Sequence, residues 1–324
     1  LLSFYRWLIL ASSCFFFIFL KQCPPVWRRR LLAVLLASLA IQALIGLGQF
    51  FSQTSFASSY LGIAYHNAGD LGTAVIETAG GRWLRAYGAS DHPNIFGGLM
   101  ALAALGSLYF FCRSQEQKQR ALSLGAYVLF LTAVLTSFSR AAVLAFILGG
   151  LVFAWENRAR FRSRPRLAAA LLVLTGVIIG LFGWQYRDLF FARSQKYNRL
   201  ETISLEQRQV YNYRAGQDFK KQPWLGTGLG ASPVFDREID GRKGQEQPAW
   251  AYQPAHDYWL LAATESGVFA LIALIALWLG AYQKSRQRRL VGLFVLLFTL
   301  SLFDHWLFSL PLAAVWLVFL FALM

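Results

Sequence analysis

Apolar residues run through this chain in long blocks of Leu, Phe, Ala and Val, separated by short polar bursts. A block of about 20 such residues, coiled as a helix, crosses the hydrocarbon of a bilayer. The blocks fall at 1–20, 31–51, 93–111, 121–137, 141–157, 167–186, 258–282, 290–304 and 308–324. None alternates with a period of two, which excludes the pattern of an outer-membrane barrel. The fold class is therefore an all-α polytopic membrane protein, a single integral-membrane domain over 1–324 with about nine spans. The chain opens Leu1-Leu2-Ser3 without an initiator Met or a readable signal peptide, so further N-terminal spans are expected upstream.

Two stretches break this pattern. Residues 52–92 are rich in Ser, Gly and Ala, carry Tyr60, Tyr65, Trp83 and Tyr87, and predict an irregular cover. They end at Ser90-Asp91-His92-Pro93-Asn94, where Ser90 or Asp91 suits a helix cap and Pro93 its first turn. Residues 187–257 form a second, longer polar loop. Within it, Ser204-Leu205-Glu206-Gln207 predicts a capped helix over 205–221, stopped by Gln222-Pro223. Arg208, Tyr211 and Ala215 share one face of that helix, and Arg214 lies with Asp218 on another. Next comes a glycine-dense turn through Gly226, Gly228 and Gly230. It lacks the strand and spacing of a nucleotide loop, although its N–H groups suit the close approach of an anion. Residues 231–253 keep no apolar period and read as a mobile segment. A tight turn, Thr136 to Arg140, separates two spans and puts an arginine at the membrane boundary.

Composition agrees, with 56% hydrophobic and 16% aromatic residues. The formal charge of +15 would suggest nucleic acid in a soluble protein, but topology explains much of it here. Basic clusters recur at every second turn: Lys21 with Arg28 to Arg30, Arg113 to Arg120, Arg158 to Arg166, and Lys284 to Arg289. Acids are almost absent there, Glu116 and Glu156 excepted. The positive-inside rule makes these turns cytoplasmic, which puts 52–92, 138–140 and 187–257 on the other face. The long loop escapes that rule, so its cations, from Arg187, Arg193, Lys196 and Arg199 to Arg242 and Lys243, suit anionic headgroups or an anionic substrate. Cys14, Cys23 and Cys112 are scattered, as structural thiols are.

Candidate chemistry is sparse. Asp236-x-Glu238-x-Asp240-Gly241 begins like a calcium loop, but its twelfth position is Gln247 and basic residues crowd it, so it reads as a solvated charged loop. No zinc-type cluster or nucleophile elbow is visible in the sequence, and neither a metal nor a cofactor is expected. His256 is different, because it immediately precedes a helix at the loop–membrane junction. The helix dipole there favours a neutral imidazole able to accept a proton. Arg85, Arg140 and Arg208 are predicted at the same membrane level. Glu265 lies about two turns into the span, where a carboxylate needs a partner. Asp304-His305, in the last external turn, reads first as structural and second as a further polar element. Arginines with a neutral base suit transfer from a lipid diphosphate: guanidinium groups hold the diphosphate, and the base takes a proton from an acceptor hydroxyl. A transporter or passive binding scaffold for lipid-linked glycans is the competing class.

These residues also resemble the O-antigen ligase and O-antigen polymerase superfamily of membrane glycan transferases. The resemblance rests on Arg85-x-x-Gly88 with His92-Pro93-Asn94, and on Ser139-Arg140. It continues in Arg208-x-x-Tyr211-x-x-x-Ala215 with Gly226, Gly228 and Gly230, in His256 followed by Glu265 and Gly267, and in Asp304-His305. It implies a GT-C-like fold in the bacterial inner membrane, an active site facing the periplasm, and a metal-independent reaction. The implied donor is an undecaprenyl-diphosphate-linked glycan and the implied acceptor lipid A–core. Membrane lipids are the other partners, with no nucleic acid and no obligate protein partner. Carried over by position, Arg140 and Arg208 would bind the diphosphate and His256 would activate the acceptor. Arg85, His92, Asn94, Arg214 and Asp257 are the candidate substrate-binding residues. Asp257 departs from the pattern, since many members have Asn there. The order of the motifs leans towards a ligase; a polymerase or a protein O-oligosaccharyltransferase are the alternatives within the family.

Overall fold

The computed structural model describes residues 2–194, 199–244, 247–248 and 251–310. Lys196, and the ninth predicted span from 311 onward, lie outside the described residues. In chain order the elements are α1 (Leu2–Gln22), α2 (Pro25–Ser52), β1 (Val75–Thr78), β2 (Gly81–Leu84), α3 (Pro93–Arg113), α4 (Gln117–Thr136) and α5 (Arg140–Glu156). They continue with α6 (Arg158–Ser163), α7 (Pro165–Gln185), α8 (Arg187–Ser194), α9 (Arg199–Lys221), α10 (Ser232–Arg242), α11 (Tyr258–Arg288), α12 (Val291–Ser301) and α13 (Trp306–Ser309). Six of the described helices, α1, α2, α3, α4, α7 and α11, are long and apolar enough to cross a membrane. The protein is thus a helical, multi-pass membrane protein, as the apolar blocks predict. Proline opens α3, α7 and α10, where the missing N–H has no intrahelical partner to lose.

Local structure departs from expectation in four places. The 52–92 segment contains an antiparallel hairpin pairing Val75 with Leu84 and Thr78 with Gly81. The cap of α3 is His92, whose Nδ1 accepts from Asn94 N at 3.1 Å, rather than Ser90 or Asp91. The loop helix begins already at Arg199, though it ends at Lys221 as the Gln-Pro stop predicts. Within the segment expected to be mobile stands α10, where Phe235 and Ile239, one turn apart, supply a short apolar period.

The chain falls into two compact units. One comprises Arg29–Thr202 and Arg289–Leu300. Its centre is α3, buried along most of its length against α4 and α5. Glu156, an exceptional acid among basic turns, caps α12: its carboxylate accepts from Val291 N at 2.9 Å and Gly292 N at 3.2 Å, with Tyr109 beside it. A carboxylate at a helix N-terminus meets both free N–H groups and the positive end of the dipole. The other unit comprises Leu1–Arg28, Ile203–Arg288 and Ser301–Met324, and contains the histidine at the start of α11.

Candidate active site

The site is built where α9 lies on the first turns of α11. Ala215 on α9, Ala255, and Leu261 on α11 form a buried apolar floor, joined by Leu260 and Phe308. Thr264 ties the two helices by donating to Ala215 O at 3.0 Å. Asp257 caps α11, its Oδ1 accepting from Leu260 N at 2.7 Å. His256 is thereby fixed one residue before the cap, and its backbone N–H donates to Asn212 Oδ1 of α9 at 3.0 Å. The Tyr211 ring lies 6.0 Å from the imidazole, so one helix face supplies both the floor and the wall.

Two further groups converge on His256 from the turn before α13. Asp304 Oδ1 stands 3.7 Å from His256 Nδ1, and the His305 ring meets the His256 ring edge-on at 5.2 Å. The turn holding them is itself pinned. Asp304 Oδ1 accepts from His305 N at 2.8 Å, and His305 Nδ1 shares a proton with Ser309 Oγ at 2.7 Å. Burial pushes His305 down to about 4; Asp304 opposes this, while His256, Arg6 and Arg208 add to it. His305 is therefore neutral near pH 7, and Arg208 and Arg6 lie close enough to act on its charge. Arg6, from α1, also donates to the Ser309 carbonyl. Asp304 and His305, noted in sequence chiefly as structural, thus stand against the candidate base. Arg6 and Asn212 had no signal beyond a cation inside an apolar block and a polar residue one position from Tyr211.

The glycine turn also finds its acceptor, and it is internal. Gly230 N donates to Glu265 Oε2 at 2.7 Å, Gly228 N to Glu265 O at 2.9 Å, and Thr227 N to Thr264 O at 2.9 Å. Val268 N returns a bond to Pro223 O at 2.8 Å. α11 opens at Gly267, whose φ of 74° and ψ of −179° are accessible essentially to glycine alone. The two backbones touch there: a Cβ on Gly267 would lie 2.1 Å from Trp224 O, and one on Gly226 would lie 2.4 Å from the Glu265 carbonyl carbon. The turn's N–H groups are thus occupied by α11, and Glu265 is the partner they hold.

In the same unit, Arg214 pairs with Asp240 at 3.3 Å and lies over the Tyr252 ring, rather than pairing with Asp218. Asp218 is bound by Lys221 at 2.8 Å. Burial, and Asp218 beside it, push Asp236 up to about 7. The start of the calcium-like run therefore fastens α10 to α9.

Arg85, His92, Asn94 and Arg140 belong to the other unit. Arg85 is 4% exposed. Its Nε donates to Ser137 O at 2.8 Å and its Nη2 to Asn94 Oδ1 at 2.9 Å. Gln49 of α2 holds the neighbouring backbone, donating to Gly88 O and accepting from Gly88 N, both at 2.8 Å. The α4–α5 turn is further packed by Phe138, at φ 47°, whose ring meets Phe50 at 5.9 Å and Phe190 at 4.9 Å. Ser139 caps α5 through Ala142 N, which leaves Arg140 as the first helical residue, exposed.

Residues 125–275 match the family model described as O-antigen ligase. Residues 125–275 are an O-antigen ligase-type domain. The matched stretch takes in Ser139-Arg140, Arg208, Tyr211, the glycine turn, His256 and Gly267. The Arg85–Asn94 segment and Asp304-His305 fall outside the O-antigen ligase match and are tied to it by the contacts above. The resemblance drawn from motif order is therefore borne out, and the activity is of the O-antigen ligase and polymerase type, carried by a glycosyltransferase-like enzyme. No curated protein matches the chain.

Proposed function

We propose that this protein is a ligase that moves a glycan from undecaprenyl diphosphate to a sugar hydroxyl of lipid A–core, at the periplasmic side of the bacterial inner membrane. The observation that carries the reading is His256, held before a helix cap with Asp304 at 3.7 Å and beside His305, on whose charge Arg208 acts. In this scheme His256 takes the proton from the acceptor hydroxyl, and the freed oxygen attacks the anomeric carbon of the donor glycan. The bond from that carbon to the diphosphate oxygen breaks, and the electron pair leaves with undecaprenyl diphosphate. Arg208 stabilises that departing charge, as guanidinium groups do for phosphate, and the family resemblance gives Arg140 the same role. Asp304 orients the imidazole from 3.7 Å. Arg85 and Asn94 act through the turn that presents Arg140, His92 and Asp257 through the helix starts they cap, and Arg214 through its brace on α10. Driving force comes from the preactivated diphosphate, so the scheme needs no metal and no cofactor.

The test is a reconstituted transfer assay with lipid-linked glycan and two acceptors offered separately, lipid A–core and a second lipid-linked glycan. Capping of lipid A–core alone is the expected result; elongation of the second glycan instead would make the enzyme a polymerase. His256→Ala is expected to lower the rate by about 10²–10⁴-fold, the usual contribution of a general base. An undiminished rate in that variant would sink the base assignment. Movement of donor lipid across the bilayer without a new glycosidic bond would replace the transferase reading with transport.

A further inference from the structure

We propose that His256, Asp304 and His305 form a binding site for a zinc-type divalent metal ion, and that the bound ion blocks His256 as a base. One ligand atom from each of the three residues lies within 4.8 Å of the others. Around tetrahedral zinc, with bonds of about 2.1 Å, ligand atoms stand about 3.4 Å apart. The pair His256 Nδ1 and Asp304 Oδ1 is already at 3.7 Å, so side-chain rotation of about an ångström closes the cradle.

Three features make this more than proximity. His256 Nδ1 is buried and makes no hydrogen bond among the described residues, facing the Asp304 carboxylate at 3.7 Å, so a coordinating ion would satisfy a buried polar atom. The ligands sit on braced backbone: Asn212 holds His256, while Phe308 N and Ser309 N both donate to the His305 carbonyl, at 2.8 and 3.0 Å. Finally, His305 uses Nδ1 on Ser309, which leaves its Nε2 as the remaining ring nitrogen and fixes the ring's orientation. Two imidazoles and one carboxylate suit zinc, cobalt or nickel and not magnesium or calcium, which take oxygen cages. The electrostatic presence of Arg208 and Arg6 disfavours a further cation. That opposition makes the ion a reversible inhibitor and not a resident cofactor.

The inhibition follows from imidazole chemistry. A neutral ring has one free lone pair, and a metal on Nδ1 leaves the ring proton on Nε2. His256 then has no lone pair left for the acceptor's proton. This half of the proposal rests on His256 being the base; the binding half does not.

The experiment is competition of zinc chloride against a chromophoric chelator on the purified full chain in detergent, with cobalt absorption as a second readout. One ion per chain is expected, undisturbed by millimolar magnesium. His305→Ala and the isosteric Asp304→Asn should each weaken binding tenfold or more, while His66→Ala leaves it unchanged. Binding that survives both site variants, or that disappears with His66→Ala, overturns the site. In an active preparation, zinc should inhibit at the concentration at which it binds, and a chelator should restore turnover. Full turnover with the site saturated would refute the blocking of His256 while leaving the site itself standing.

Discussion

Gly267→Ala tests the contact that shapes the loop above α11. An alanine at φ 74°, ψ −179° costs about 1–3 kcal/mol in backbone strain alone. Its Cβ would also lie 2.1 Å from Trp224 O and 2.7 Å from Leu225 N, both backbone atoms that no side-chain rotation can move aside. Relief requires lifting residues 223–228 off the helix, which gives up the Val268–Pro223, Thr227–Thr264 and Gly228–Glu265 bonds. At about 1 kcal/mol each, the total reaches about 4–6 kcal/mol. Thermal unfolding in detergent should show a large drop, and amide exchange at Gly228 and Gly230 should accelerate. Gly280→Ala is the internal control, because nothing lies within 4 Å of its added Cβ and the position is helical. That variant should be neutral or stabilised by up to about 1 kcal/mol. If the two variants melt together and the turn's amides stay protected, the backbone-on-backbone contact is wrong.

Asp236 gives a pH signature. Folded, it holds its proton up to about pH 7, whereas an unfolded aspartate releases it near 4, so between these values the folded state binds more protons and stability falls as pH rises. The shift corresponds to at most about 4 kcal/mol, which solvent at this partly exposed site reduces to about 1–2. Asp236→Asn should therefore melt increasingly above wild type from about pH 4 to 7 and by a constant margin beyond; parallel pH curves would count against the shared proton. Asp304→Asn should lower kcat about tenfold or more with little change in KM and shift the acidic limb of the pH–rate profile, the limb along which a general base is lost by protonation. An unshifted profile would make Asp304 merely structural.

Much of this molecule can be read from its pattern because bilayer spans are long and uniform. Pro93 and the Gln222-Pro223 stop mark boundaries that the helices obey. The histidine at the start of α11 is legible because a polar residue at a loop–helix junction is a local signal. What escapes is whatever depends on partners distant in sequence. Gly226, Gly228 and Gly230 look like a cradle for a ligand anion, yet the group they hold is the Glu265 carboxyl, 35 residues beyond Gly230. Asp304 looks structural until its carboxylate is seen beside a ring 48 positions earlier (304 − 256). The hairpin and α10 escape for the opposite reason, being too short for their periods to stand out.

Arg85 has a consequence for anyone recombining these proteins. Its guanidinium joins three pieces of chain, its own segment, Asn94 and the carbonyl of Ser137. The arginine that opens α5 is therefore presented by a turn whose shape is set some fifty residues upstream, the Arg85–Ser137 bond spanning 52 positions. A chimera that imports residues 136–140 alone would carry the right letters on the wrong scaffold. The exchangeable module is the turn together with 85–94, and pairwise drift between these two segments across relatives should be slower than drift in either flank.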